Sequence, residues 1–437
     1  MLDHRLPDEY EELRKTVEEF AHEEVAPVIG GFYEREEFPY GLVATMGSMG
    51  LFGLPFPEEL GGMGGDHLAL CLALEELSRV DSSVAVTLEA GVSLGAMPVF
   101  RFGTDEQKQQ WLPPLCAGEK LAAFGLTEPG GGSDAGATRT TATLDGGHWV
   151  INGSKAFITN AGTDITSLVT VTAVTGRRDD GRKDISTILV PARTPGLAVA
   201  PKYSKVGWNA SDTRELSFTD CRVPEANLLG ELGRGYAQFL RILDEGRIAF
   251  AAMGVGLAQG CVDECLRYAR EREAFGHVLG HHQVIQFTIA DMEARVHTAR
   301  LSSYHAASKM LRGEPFTKEA AIAKLGTHRP PRLNRRSRPA RKTPPSRLVV
   351  YPARAPARQD FSGRRRGSGT SGLQFVLSMD TKGLPPGLRN HRNPLTANPI
   401  PSRDTPKAHI AAPSARHRRR QHLRCGRRPC RRAQLDT

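Results

Sequence analysis

No glutamate follows Glu319, although the chain runs on to Thr437. Residues 327–437 hold 27 Lys and Arg, 24 of them Arg, against four acids, Asp360, Asp380, Asp404 and Asp436, a net charge of +23. Residues 1–326 hold 31 Lys and Arg against 44 Asp and Glu, a net charge of −13. The formal +10 of the whole chain averages two unlike polymers. The basic segment is also poor in aromatics, with only Tyr351, Phe361 and Phe375. That is too few for base stacking, and nucleic acid is not the expected partner despite the charge.

Cysteine is scarce. The seven, at 71, 116, 221, 261, 265, 425 and 430, form no disulfide framework, and Cys425 and Cys430 lack a second ligand pair for zinc. No metal site is expected, and reduced thiols favour a cytoplasmic location. Cys261 and Cys265 read as core residues one helical turn apart. The N-terminus opens with Asp3, His4 and Arg5 and has no apolar h-region. No continuous apolar run approaches the roughly 20 residues that cross a bilayer, so no membrane span is expected.

What is present divides into four parts and an α+β fold. Residues 1–120 predict an N-terminal helical domain. Tyr10, Leu13, Val17, Phe20, Ala21 and Val25 recur at helical spacing, and Gly61-Gly62-Met63-Gly64-Gly65 marks a break. Residues 121–234 predict a middle antiparallel β domain rich in Thr, Val and Ile. Asp145-Gly146-Gly147 and Asn152-Gly153 read as hairpin turns, and His148–Ile151 and Ser186–Val190 as strands. Residues 235–326 predict the first part of a C-terminal helical bundle. One stripe runs from Ile248 to Ala269, a second from Ile285 to Ser303, and the two join at Phe275–Gly280. Residues 327–437 hold 15 of the 29 prolines and predict a disordered basic tail, because few apolar residues offset the ordering entropy.

The glycine-rich run Phe124-Gly125-Leu126-Thr127-Glu128-Pro129-Gly130-Gly131-Gly132-Ser133-Asp134 brings open backbone and two hydroxyls to one loop. Its spacing matches neither a P-loop nor a dinucleotide fingerprint. Four further segments follow in order: Asn152–Asn160, Gly207–Arg214, Leu243-Asp244-Glu245-Gly246-Arg247, and Glu271-Arg272-Glu273-Ala274-Phe275-Gly276 with His282-Gln283. Together they closely resemble the acyl-CoA dehydrogenases over about residues 5–325.

That resemblance implies FAD as cofactor and oxidation of the Cα–Cβ bond of a short- or medium-chain acyl-CoA, straight or branched, to the trans-2-enoyl-CoA. Electrons would pass to an electron-transfer flavoprotein. It implies that Phe124, Gly125, Leu126, Thr127, Gly132 and Ser133 border the flavin, with Ser133 between the pyrophosphate and the substrate's CoA. Phe157, Ile158 and Thr159 would lie against the isoalloxazine. Arg272, Phe275 and Gln283 would reach the FAD of a neighbouring subunit in a homotetramer. Asp244 and Arg247 would lie near the thioester and pantetheine, beside a simple i,i+3 ion pair as the plain alternative. Trp208 reads as core.

The family's catalytic base is a carboxylate, in most members a glutamate in a Glu-Gly-Thr loop near the C-terminus. No such glutamate exists after Glu319, so the catalytic residue is unknown and activity is expected to be impaired. Codons exist for Arg358–Gly367 that, read one base later, encode Gly-Lys-Ile-Phe-Gln-Val-Gly-Glu-Gly, very like that loop. The tail is therefore expected to be an out-of-frame reading, which resequencing across codons 320–330 tests. The rival is a noncatalytic flavoprotein-like scaffold whose basic tail binds polyanions.

Overall fold

The computed structural model describes residues 6–328. The expectations for the basic tail lie outside the described residues. The first helical layer comprises α1 (Asp8–Phe20), α2 (Ala26–Arg35), α3 (Tyr40–Ser48), α4 (His67–Val80), α5 (Ser82–Glu89), α6 (Met97–Phe102) and α7 (Asp105–Cys116). Asp66 caps α4 by accepting from the amides of Leu68 and Ala69, and Asp81 caps α5 in the same way. A π-helical segment, Ala90–Ala96, separates α5 from α6. Such segments recur at functional sites. Nearly all of α4 and α5 is buried, so these are the central helices of the core.

The middle domain is built from β1 (Leu121–Gly125), β2 (Thr141–Asp145), β3 (His148–Thr159), β4 (Thr166–Arg177), β5 (Lys183–Pro191), β6 (Leu197–Val199), β7 (Thr213–Pro224) and β8 (Leu228–Leu229). The sheet order is β6-β7-β3-β2-β4-β5-β8. Most pairings are antiparallel, but β1 joins β4 in parallel. Gly146 and Gly147, both at positive φ, make the expected turn between β2 and β3. Asn152-Gly153 does not turn the chain. It lies inside β3, where the register on β7 slips between Ile151 and Gly153. A Cβ on Gly153 would stand 2.7 Å from the Thr140 backbone, so glycine here serves close approach at a bulge.

The second helical layer is α8 (Gly235–Glu271), α9 (Gln283–Leu311) and α10 (Thr317–His328), with a two-stranded β9 (Glu273–Ala274) and β10 (His277–Val278) in the α8–α9 connection. The α8 stripe is buried at Ile248, Ala251, Val255, Val262 and Ala269, but Cys265 is exposed, which corrects its reading as core. In the α9 stripe only Val296 and Ser303 are buried. Val284 and Phe287 are exposed, and an apolar groove of about 650 Å³ opens between α8 and α9 along Val262, Leu266, Ala269 and Ile289. That is the open face expected of a partial bundle.

Two helical stretches, Ser82–Phe102 and Gly235–Glu271, are long and apolar enough to cross a membrane by length and composition. The first is 89% buried in the protein core, which accounts for its apolar character. Among the described residues no cluster of His, Cys, Asp and Glu could hold a metal.

Candidate functional site

The glycine-rich loop leaves β1 and returns against β3. Phe124 stacks on Phe239 of α8, with ring centroids 3.9 Å apart. The Ala156 amide donates to the Thr127 carbonyl at 2.8 Å. Behind the loop lies a buried ion pair. Lys155 is fully buried, and its Nζ donates to Glu128 Oε1 (2.8 Å), Thr172 Oγ1 (3.1 Å) and the Leu126 carbonyl (3.3 Å). Glu128 also accepts from the amides of Arg139 (2.7 Å) and Thr140 (3.0 Å) and from Thr140 Oγ1 (2.7 Å). Both oxygens of the carboxylate are hydrogen-bonded, Oε1 by three donors and Oε2 by one, which is what makes a buried charge tolerable. The Lys155 ammonium and the Thr140 donors hold Glu128 below the usual carboxylate range, against burial. Burial pulls Lys155 down to about 8, against the attraction of Glu128.

The structure thus brings the Phe124–Ser133 loop and the end of β3 together. Gly125 is buried in the sheet, Leu126 and Thr127 are half-buried, and Gly132 and Ser133 are exposed. On β3 the three residues part company. Ile158 points into the β-domain core at 2% exposure, so only its backbone can face a ligand. Thr159 is half-buried. Phe157 is 65% exposed, adopts φ 60°, and stacks on Tyr203 at 5.0 Å. Left-handed backbone on a bulky residue costs of order 1 kcal/mol and concentrates at functional sites. Trp208 also sits at positive φ and is 42% exposed, donating Nε1 to Ser82 Oγ at 3.0 Å. It is a surface aromatic, not the core residue expected. Buried on the same loop, Asn209 Oδ1 and Ser211 Oγ lack hydrogen-bond partners.

The remaining sequence-predicted pair lies on α8. Asp244 is ion-paired to Arg247 and accepts from Thr317 Oγ1 at 2.8 Å. The i,i+3 pair is therefore real, and Asp244 also lines a groove of about 510 Å³ with Ala237, Leu240, Arg241, Pro315 and Phe316. Arg272, Phe275 and Gln283 are exposed in the α8–α9 connection, Phe275 at 94% and φ 54°. They do not join the loop and strand in this chain.

Sequence reasoning missed Glu89. It ends α5, is completely buried, and neither carboxylate oxygen has a hydrogen-bond partner. Burial pushes its pKa up to about 8, with the Lys324 ammonium opposing. A Cβ on Gly246 would stand 3.5 Å from its Oε1. Nothing local marks Glu89, because its helical position reads as an ordinary polar residue within an apolar run. Lys324 lies over the Phe250 ring at 4.9 Å, and Trp208 approaches the same ring at 6.5 Å.

Comparisons with known proteins agree with this architecture. The acyl-CoA dehydrogenase N-terminal, middle and C-terminal domain models match residues 7–119, 123–221 and 233–330. The chain is 47% identical over 320 residues to the probable acyl-CoA dehydrogenase YngJ of Bacillus subtilis, covering 73% of this chain and 84% of that protein. It is 44% identical to the human mitochondrial short-chain specific acyl-CoA dehydrogenase, covering 73% and 77%. The butyryl-CoA dehydrogenase structure from Megasphaera elsdenii superposes with a TM-score of 0.72 at 39% identity, covering 75% and 85%. A chain solved in work on the electron transferring flavoprotein of Acidaminococcus fermentans gives 0.72 at 40%, with the same coverage. The chain belongs to the acyl-CoA dehydrogenase family, FAD-dependent oxidoreductases that act on CH–CH bonds.

Proposed function

We propose that residues 6–328 form the flavin- and thioester-binding part of a short- or medium-chain acyl-CoA dehydrogenase that passes electrons to an electron-transfer flavoprotein. The observation that carries this is the hydrogen-bonded junction of the Phe124–Ser133 loop with β3 at Lys155 and Ala156, just before Phe157–Thr159. The local residues suit FAD. An exposed ring at Phe157, half-buried hydroxyls at Thr127 and Thr159, and open backbone at Gly132 offer a face, polar edges and a close approach. FAD, when bound, supplies the hydride acceptor.

The chain's own groups do the rest. Thr127 and Thr159 orient the ring edge, and Phe157 shields its face from water. Ser133 and Arg247 hold the CoA thioester, with Asp244 fixing the guanidinium. Arg272, Phe275 and Gln283, exposed here, serve the flavin of a neighbouring subunit in a homotetramer. Proton removal is the weak step. Asp244 is engaged by Arg247 and Thr317, and Glu245 lies beside Arg101. The expected C-terminal glutamate is missing from the sequence beyond Glu319. A cytoplasmic location accompanies this reading.

Titration of the purified chain with FAD, then anaerobic butyryl-CoA, tests it. The expected result is a bound yellow flavin perturbed by the thioester but bleached far more slowly than in family members carrying the glutamate. A chain that takes up flavin yet shows no spectral response to any acyl-CoA of four to eight carbons would refute the thioester assignment.

A further inference from the structure

We infer that the buried Lys155–Glu128 pair is a positioning device that holds the flavin-facing loop at a fixed separation from β3. This deepens the functional reading above and rests on it. The observation is one of connectivity. Lys155 sits two residues before Phe157 on β3, and its ammonium reaches into the loop at two points, Glu128 Oε1 and the Leu126 carbonyl. These flank Thr127, whose own carbonyl is taken by the Ala156 amide. Thr127 is thus gripped from both sides by consecutive residues of one strand. The strand is irregular just there, because its register on β7 slips between Lys155 and Ile158. Ala156 and Phe157 have no partner on β7 across that slip, and the contacts of Lys155 and Ala156 with the loop hold the stretch just there.

The geometry makes the charge matter, not only the packing. Thr172 Oγ1 and Glu128 surround the Lys155 head group, while Thr140 and the Arg139 amide complete the carboxylate. Deprotonating Lys155 would leave Glu128 buried without its countercharge, and losing one partner of a buried pair is the costly case. Glu128 is the charged group that faces Lys155, and Lys155 the one that faces Glu128. Because the ammonium's affinity for its proton is already reduced by burial, the clamp should release in mildly alkaline solution.

FAD affinity of the full chain, measured by flavin fluorescence between pH 6.5 and 9.5, tests this. The expected result is a Kd that rises severalfold as pH passes about 8. Lys155→Met should weaken binding at pH 7 by at least about tenfold, the scale of one buried charged hydrogen bond. It should also abolish the pH step and alter the vibronic structure of the bound-flavin band. Lys205, also pulled down to about 8 by burial, is the control: Lys205→Met should keep the step. If Lys155→Met does not fold, judged by far-UV circular dichroism, the comparison of wild type with Lys205→Met decides. A flat wild-type profile, or a step that vanishes in Lys205→Met, overturns the inference while leaving the flavin site standing. A wild-type chain that takes up no FAD at any pH overturns both.

Discussion

Replacing Glu89 with Gln should stabilise the protein, and the gain should grow with pH. Glu89 is fully buried with both oxygens unpartnered, and its pKa is raised from an ordinary carboxylate value near 4.5 to about 8. The folded state therefore holds the proton more tightly than the unfolded state does. Below about pH 4.5 both states are protonated and the group costs nothing through ionisation. Between about 4.5 and 8 the unfolded chain ionises while the folded one does not, and stability falls by about 1.4 kcal/mol per pH unit. Above about pH 8 the penalty levels off near 5 kcal/mol; at pH 7 it is about 3 kcal/mol. Glutamine keeps the shape and removes the titration. Urea unfolding of both proteins from pH 5 to 9 is the assay. The difference should be small at pH 5, rise steadily, and flatten past pH 8. A constant difference, or one that favours the wild-type chain at pH 8, would refute the claim that Glu89 is an unpaired buried acid.

Other outcomes follow from single contacts. Phe157→Gly should leave the flavin-free chain as stable or more so by about 1 kcal/mol, since glycine accepts φ 60°, yet lower FAD affinity; equal affinity would detach Phe157 from the site. Arg300 donates to the buried Glu75 at 2.7 Å, so Arg300→Gln should cost about 3 kcal/mol in urea unfolding by leaving that carboxylate short of its partner; a loss below about 0.5 kcal/mol would contradict the burial. Gly256→Ala would put a Cβ 2.0 Å from the Glu75 backbone carbonyl, where α4 and α8 cross. It should cost more than about 2 kcal/mol or prevent folding, measured by Tm, and a neutral result would mean the helices cross less closely.

The helical and β divisions were legible because each segment keeps one hydrophobic period over many residues. The α8 stripe from Ile248 to Ala269 and the turn at Gly146-Gly147 are local signals, and both are found in the structure. Asn152-Gly153 misled because the same dipeptide serves a hairpin and a bulge. Only the partner strand β7, distant in sequence, decides between them. Cys265 misled because it is exposed although Val262 and Ala269, before and after it in the stripe, are buried, and spacing alone does not say which members of a stripe meet a partner. The loop and strand of the site could be read from their motifs. Lys155 stood in the quoted motif, but its ties to Glu128 and Leu126 depend on how loop and sheet meet. Glu89 and Lys324 are far apart in sequence and share an environment only once α5 and α10 approach α8.

The central claim is that an isoalloxazine seats between the loop at 124–133 and the strand at 157–159. Hydrogen exchange of the full chain with and without FAD measures this directly. The account predicts that FAD slows exchange at the amides of Leu126–Ser133 and Phe157–Asn160 and leaves the α1–α2 region unchanged. Saturating FAD with no protection in either segment, or with protection confined to the α8–α9 groove, would contradict it.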